Sequence, residues 1–260
     1  IVGVPQKTWV SRVEASKHSK GRAYVSFDNH RFDDNRPYVF FTEDFGDTWT
    51  NISSNLPEDY SVYVIREDYI DENLLFVGTE KSVYFSNNRG TTWEKLGSNL
   101  PTVAIHDLVI HPRDGDLIAG THGRSIWILD DINPLRFLNK REDNLLPSRL
   151  STKWIKINTG RKQPFFEFRG ENPSYGSMIN FFSTMSTKGE LIISKNNEKD
   201  SSGPIFKMSL DIKEGINRFI WPFKLNRTQE EFNSYREKFI AIKKEFKEIN
   251  PMIKSSGIRK

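Results

Sequence analysis

Along the first half of the chain, apolar and polar residues alternate in runs of four to eight, broken by clusters of Gly, Asn, Asp and Pro. That pattern predicts half-buried strands rather than helices. Val10–Ala15, Arg22–Phe27, Pro37–Thr42 and Thr48–Ile52 form a first set of four. Val62–Arg66, Leu74–Gly78, Ser82–Ser86 and Thr92–Leu96 form a second, and Ile105–Ile110, Asp116–Gly120 and Ser125–Leu129 a shorter third. From 133 to 164 the alternation fades around Pro134, Pro147 and Pro164, as expected of a connector. It resumes over 165–225, where Phe165–Arg169, Ser177–Phe182, Glu190–Ser194, Ile205–Leu210 and Ile216–Trp221 predict a small β-sandwich. The period then changes. Phe232, Tyr235, Phe239, Ile242, Phe246 and Ile249 are spaced three and four apart, and Thr228 with Glu231 makes a capping box. An amphipathic helix is expected over 228–250, followed by a basic tail at 251–260.

The strand pattern contains a repeat. Thr42-Glu-Asp-Phe-Gly-Asp-Thr-Trp49 returns as Ser86-Asn-Asn-Arg-Gly-Thr-Thr-Trp93, and Gly46 to Gly90, Trp49 to Trp93 and Pro57 to Pro101 are each 44 positions apart. A period of roughly 40–50 residues with four strands per unit is the length of a β-propeller blade. Each copy places an Asp or Asn to close a turn, a Gly where a side chain would obstruct, and a Trp that opens the next strand as an apolar plug. Asp44, Gly46, Trp49, Asn88, Gly90 and Trp93 are therefore expected to be structural. This is the Asp-box pattern. The third unit lacks it: Asp130-Asp131 follows the last strand with no Gly-x-x-Trp. Residues 1–132 thus predict two to three blades, whereas propellers close with about four to eight. The expectation is a C-terminal part of a longer protein, with preceding blades or self-association closing the ring.

Composition removes several function classes. Cysteine is absent, which excludes disulfides and thiolate chemistry. The net charge of +4 is mild and forms no compact basic stripe, so nucleic acid is not an expected partner. No apolar run approaches the roughly 20 residues of a membrane span. No Ser/His/Asp order, Gly-rich phosphate loop or His-x-x-x-His metal pair stands out, and no cofactor is expected, although Asp-x-His-x-x-Asp-Asp from Asp28 to Asp34 could bind a hard cation through oxygens in a spacing that is no EF-hand.

Three stretches add a resemblance. Ala23-Tyr-Val-Ser-Phe-Asp28-Asn-His30-Arg-Phe-Asp33-Asp34, the run from Ile105 through Thr121-His122-Gly-Arg124 to Asp131, and Phe168–Gly176 with Gly215–Trp221 resemble segments of a bacterial family of BNR/Asp-box, sortilin N-terminal-domain-like propeller proteins. The resemblance implies an all-β fold: a partial propeller, then an Ig-like sandwich. It also implies a secreted or periplasmic protein. Its relatives include receptors and glycosidases, so ligand binding and hydrolysis both remain open.

Turn parity sorts the candidate residues. In a four-stranded blade the Asp-box turns lie on one face, and the loops between second and third strands lie on the other. On that other face fall Asp28, His30, Arg31, Asp33 and Asp34 in the first unit, and His122 and Arg124 in the third. His106 and Asp107 begin an innermost strand nearby. Carboxylates with imidazoles in a concavity can bind a polysaccharide or peptide, or perform acid–base work. A glycosidase would need two carboxyls about 5–9.5 Å apart. Asp28, Asp33 or Asp34 could supply one, and no residue stands out for the second. Binding is the preferred expectation, and Asp-box-type glycoside hydrolysis is the alternative. The loop carboxylates could instead simply brace their own backbone.

Overall fold

The computed structural model describes residues 1–97, 99–138, 141–151, 174–194, 203–223 and 237. It is all-β, and its first 129 residues form three successive propeller blades. The first is a four-stranded antiparallel sheet in the order β1 (Trp9–Ala15), β2 (Ala23–Asn29), β3 (Asp34–Thr42), β4 (Thr50–Asn51). The second repeats it as β5 (Val62–Glu67), β6 (Leu75–Thr79), β7 (Val83–Ser86), β8 (Glu94–Lys95). The third has β9 (Ile105–Ile110), β10 (Leu117–Thr121) and β11 (Ile126–Leu129), and no fourth strand among the described residues.

Alternation explains the packing. In β6, Leu75 and Val77 face the first blade, joining Tyr24, Val39, Ile52 and Trp93 in one core. Phe76 faces the third blade, joining Phe85, Ile105, Leu108 and Ile110 in another. Every residue of β6 is buried, because the middle blade is covered on both sides. Trp93 is 3% exposed, and its indole N–H donates to the Ile52 carbonyl at 2.7 Å, so this plug seats on the blade before its own. Trp49 is partly buried and packs with its own blade's Val25, Phe27, Tyr38 and Phe40, together with Val4.

The Asp-boxes form identical turns. The Thr42 hydroxyl donates to Asp44 at 2.7 Å and accepts from the Gly46 N–H at 3.0 Å; Ser86, Asn88 and Gly90 repeat this at 2.8 and 2.8 Å. Asp44 then accepts from Thr48, as Asn88 does from the Thr92 N–H. Those bonds, from the Thr48 hydroxyl first and its N–H next, hold the Asp44 carboxyl down to about 2. Gly90 has φ +82°, and a Cβ there would meet Ile52 at 2.9 Å, so the turn requires glycine twice over.

In place of a third box, Asp130 and Asp131 receive a distant arginine. Arg218 donates to the Asp130 and Asp131 carbonyls at 2.6 and 2.8 Å, and to Asn180 at 2.8 Å. Arg218 and Asn180 lie in a three-stranded sheet of β12 (Asn144–Leu146), β13 (Ser177–Ser183) and β16 (Gly215–Trp221). Between blade and sheet runs a four-residue helix, α1 (Asn133–Arg136). Its Arg136 forms a buried pair with Asp68 at 2.7 Å. A hairpin, β14 (Thr187–Ser194) and β15 (Pro204–Ile212), belongs to a second compact unit. Four of the five strands expected over 165–225 are thus strands. Phe165–Arg169 and the helix expected over 228–250 lie outside the described residues, Glu237 excepted.

Candidate functional site

The inner strands share a local irregularity. Pairing of β1 with β2 shifts between Val10 and Arg12, and that of β5 with β6 between Val62 and Val64. The β9–β10 register shifts at Thr121, which pairs with Ile105 while Gly120 pairs with Asp107. Ser11, Tyr63 and His106 are thus the extra residues of three equivalent β-bulges. The core records the consequence. Val62 packs with the first blade and Val64 with the third, although two residues apart in a regular strand share a face. A bulge re-aims one side chain, and each of these three turns onto the same face of the propeller.

That face is the one opposite the Asp-boxes. The turn after β1 lies beside the first box, where the Phe45 N–H donates to the Gly21 carbonyl at 3.0 Å and Arg22 pairs with Glu43 at 2.9 Å. On the opposite face the bulged residues meet the loops that follow β2, β6 and β10 around a concavity of about 1130 Å³. A row of rings crosses it. Tyr63 stacks on His106 at 4.6 Å between centroids and 10° between planes. His122 lies 5.1 Å beyond His106, and His30 meets Tyr63 edge-on at 6.3 Å. The row draws His30 from the first blade, Tyr63 from the second, and His106 and His122 from the third.

The polar groups beside the row are engaged with one another. Asp28 accepts the His30 N–H at 3.0 Å and holds the His30 Nδ1 at 2.7 Å from both carboxylate oxygens. The Tyr63 hydroxyl donates to Glu80, and burial followed by this bond raises its pKa. Lys81 pairs with Asp59 at 3.0 Å and lies over the Tyr60 ring. At the rim, the Arg31 guanidinium covers the exposed Trp9 indole at 5.1 Å.

Of the residues expected here, Asp28, His30, Arg31, His106 and His122 line the concavity, and Asp33, Asp34, Asp107 and Arg124 do not. Asp33 turns the backbone at φ 59°. Asp34 braces the loop, accepting from Asn29, Arg36 and the Tyr38 hydroxyl at 3.0, 2.8 and 2.7 Å. The Arg36 guanidinium is the main cause that holds the Asp34 carboxyl well below its usual range, while burial and the bond to Asp34 push the Tyr38 phenol up to about 12. Asp107 joins a ladder of charges across the three inner strands, in which Arg66 pairs with Glu14 and Asp107 at 2.9 Å each and Arg12 pairs with Asp107 at 2.7 Å. Arg124 contributes its carbonyl to the Trp127 indole. Trp9, Asp59, Tyr63, Glu80 and Lys81 also line the concavity and were not anticipated. Tyr63 had one signal, its place 43 positions before His106 in the repeat. Among the described residues no three His, Cys, Asp or Glu side chains are placed to hold a metal ion, and no helix is long and apolar enough to cross a membrane.

Comparison with known proteins adds the following. The family model described as Sortilin, neurotensin receptor 3 (Sortilin-Vps10) matches residues 37–220. Similar solved structures include the GH74 xyloglucanase from Xanthomonas campestris, at 14% identity and TM-score 0.41 over 70% of this chain and 28% of that one. The Niastella koreensis GH74 enzyme aligns at 17% identity and TM-score 0.40, over 47% of this chain and 21% of that one. An ancestral GH74 enzyme aligns at 18% and 0.38, over 45% and 14%. The chain therefore spans under a third of the length of these structures. No curated protein matches it.

Proposed function

The chain belongs to the Sortilin-Vps10 family, and we propose that its blades bind a glycan or peptide through the concave face opposite the Asp-boxes, as a module of a secreted or periplasmic protein. The observation that supports this is the row His30–Tyr63–His106–His122, assembled from three blades. Three re-aimed bulge residues serve no core, and they line one concavity.

Binding is favoured over hydrolysis by the state of the carboxylates. A glycosidase needs one carboxyl that protonates the leaving oxygen and another that attacks or activates water. Here Asp28 is engaged with His30, Glu80 with Tyr63, and Asp59 with Lys81. Titration calorimetry with neutral oligosaccharides and unstructured peptides tests the proposal. One of these classes binds, and His106→Ala/His122→Ala weakens it at least about tenfold with the melting temperature unchanged. Turnover of the oligosaccharides that disappears in Asp28→Ala would favour the hydrolase.

A further inference from the structure

The two contacts between neighbouring blades use the same positions, and the pairing registers align them. Val13 pairs with Val25 in the first blade, Ile65 with Val77 in the second and Leu108 with Ala119 in the third. Ile65 and Leu108 are fully buried, each against the blade before its own, whereas Val13 is 61% exposed. Val62 and Ile105 are likewise fully buried beside their bulges, and their counterpart Val10 is 55% exposed. The other side of the blades behaves in the same way. Phe76 pairs with Phe85, and both are buried against the third blade. Their counterparts Ile118 and Ile128 pair in the third blade, where Ile128 is 59% exposed and Ile126, on the same side of β11, is 69% exposed. The chain thus carries, uncovered on its first and third blades, both halves of a contact that it makes twice inside itself. Open apolar patches of this kind mark interaction sites.

The half on the first blade is also shaped. The Thr8 N–H donates to the Pro5 carbonyl at 3.4 Å, as the Tyr60 N–H does to Pro57 at 3.2 Å. Residues 1–8 therefore repeat the link at 53–60 between the first two blades, with Val4 in the place of Leu56. Between this link and the sheet lies a hollow of about 590 Å³ lined by Val10, Val13, Val25, Phe27 and Trp49, among others. Beside Trp93 the preceding blade places Ile52, whose carbonyl accepts the indole N–H; the Trp49 indole donates to the Gly46 carbonyl of its own turn.

We infer that the third blade of a second copy of this chain seats head to tail on the first blade, with Val109, Ile118, Ile126 and Ile128 laid against Val10, Val13 and the hollow. A second copy is the occupant because each face finds its complement on the same chain. Head-to-tail contacts close into a ring where the rotation permits, and two copies of three blades supply six, within the range of about four to eight with which propellers close. This interface does not rest on the binding role proposed above.

Sedimentation velocity of the full chain at micromolar concentrations tests it. The expected species has twice the 30.3 kDa mass of one chain. Val13→Asp and Ile128→Asp each alter a residue that is exposed in a single copy, so both variants stay folded by circular dichroism, and each sediments at 30.3 kDa. Ile70→Asp, equally exposed but in the turn between β5 and β6, leaves the mass doubled. Mixing the two face variants restores a doubled mass, at higher concentration than wild type needs, because each keeps the half that the other has lost. A contact between like faces gives no such rescue. Wild type that stays at 30.3 kDa overturns the inference, as does a doubled mass in either face variant or a mixture that does not associate.

Discussion

Asp44 and Asn88 occupy the same position in two turns that differ by one charge, and comparing them shows what the charge contributes. The Asp44 carboxyl titrates near 2, below the ordinary value near 4. A depressed pKa contributes stability that is present above the ordinary value and is lost as pH falls from about 4 to about 2. Asn88 reproduces the turn without titrating, its Nδ2 donating to the Thr92 hydroxyl at 2.8 Å and its Oδ1 accepting the Thr92 N–H at 2.9 Å. Asp44→Asn is therefore expected to leave stability at pH 7 nearly unchanged and to flatten its decline between pH 4 and pH 2. Denaturant melts across that window check it, and a parallel decline in both proteins would contradict it. The roles of Asp44 and Asn88 were legible in the sequence because every partner lies within four residues. The place of Asp107 was not, since Arg12 and Arg66 come from strands 95 and 41 positions away.

Among elements, the second box tryptophan is a contact between blades and the first is a contact within one. Trp93 is buried against Ile52 and its neighbours, so Trp93→Ala is expected to cost about 3–5 kcal/mol. Trp49 is half-buried against its own sheet, and Trp49→Ala should cost about 1–2 kcal/mol in this chain. Equal losses by chemical denaturation would contradict that account. Strand order and position followed from the alternation because each strand's apolar set is buried on a predictable face. The bulges were hidden, since Val62-Tyr-Val64 reads as an ordinary alternation that turns Tyr63 away from its neighbours. A one-residue register slip leaves no trace in an alternating pattern. The role of Asp130-Asp131 was hidden for a different reason: the group that replaces the missing box, Arg218, arrives from 88 positions downstream.

For the propeller as a whole, turn parity separated the two faces from sequence, and the five histidines divide along it. His18 and His111 lie in the turns after β1 and β9, on the Asp-box face. His18 contacts the Asp68 carbonyl, and His111 contacts Asp114. His30, His106 and His122 line the opposite concavity. That division permits the most direct test of the central claim, that the ring row is where a ligand binds. Diethyl pyrocarbonate modification of the histidines, mapped by mass spectrometry with and without a saturating oligosaccharide or peptide of the class that binds in calorimetry, reads both faces at once. The account predicts protection of His30, His106 and His122 with His18 and His111 unchanged. Binding of that ligand with equal modification of all five histidines would contradict it.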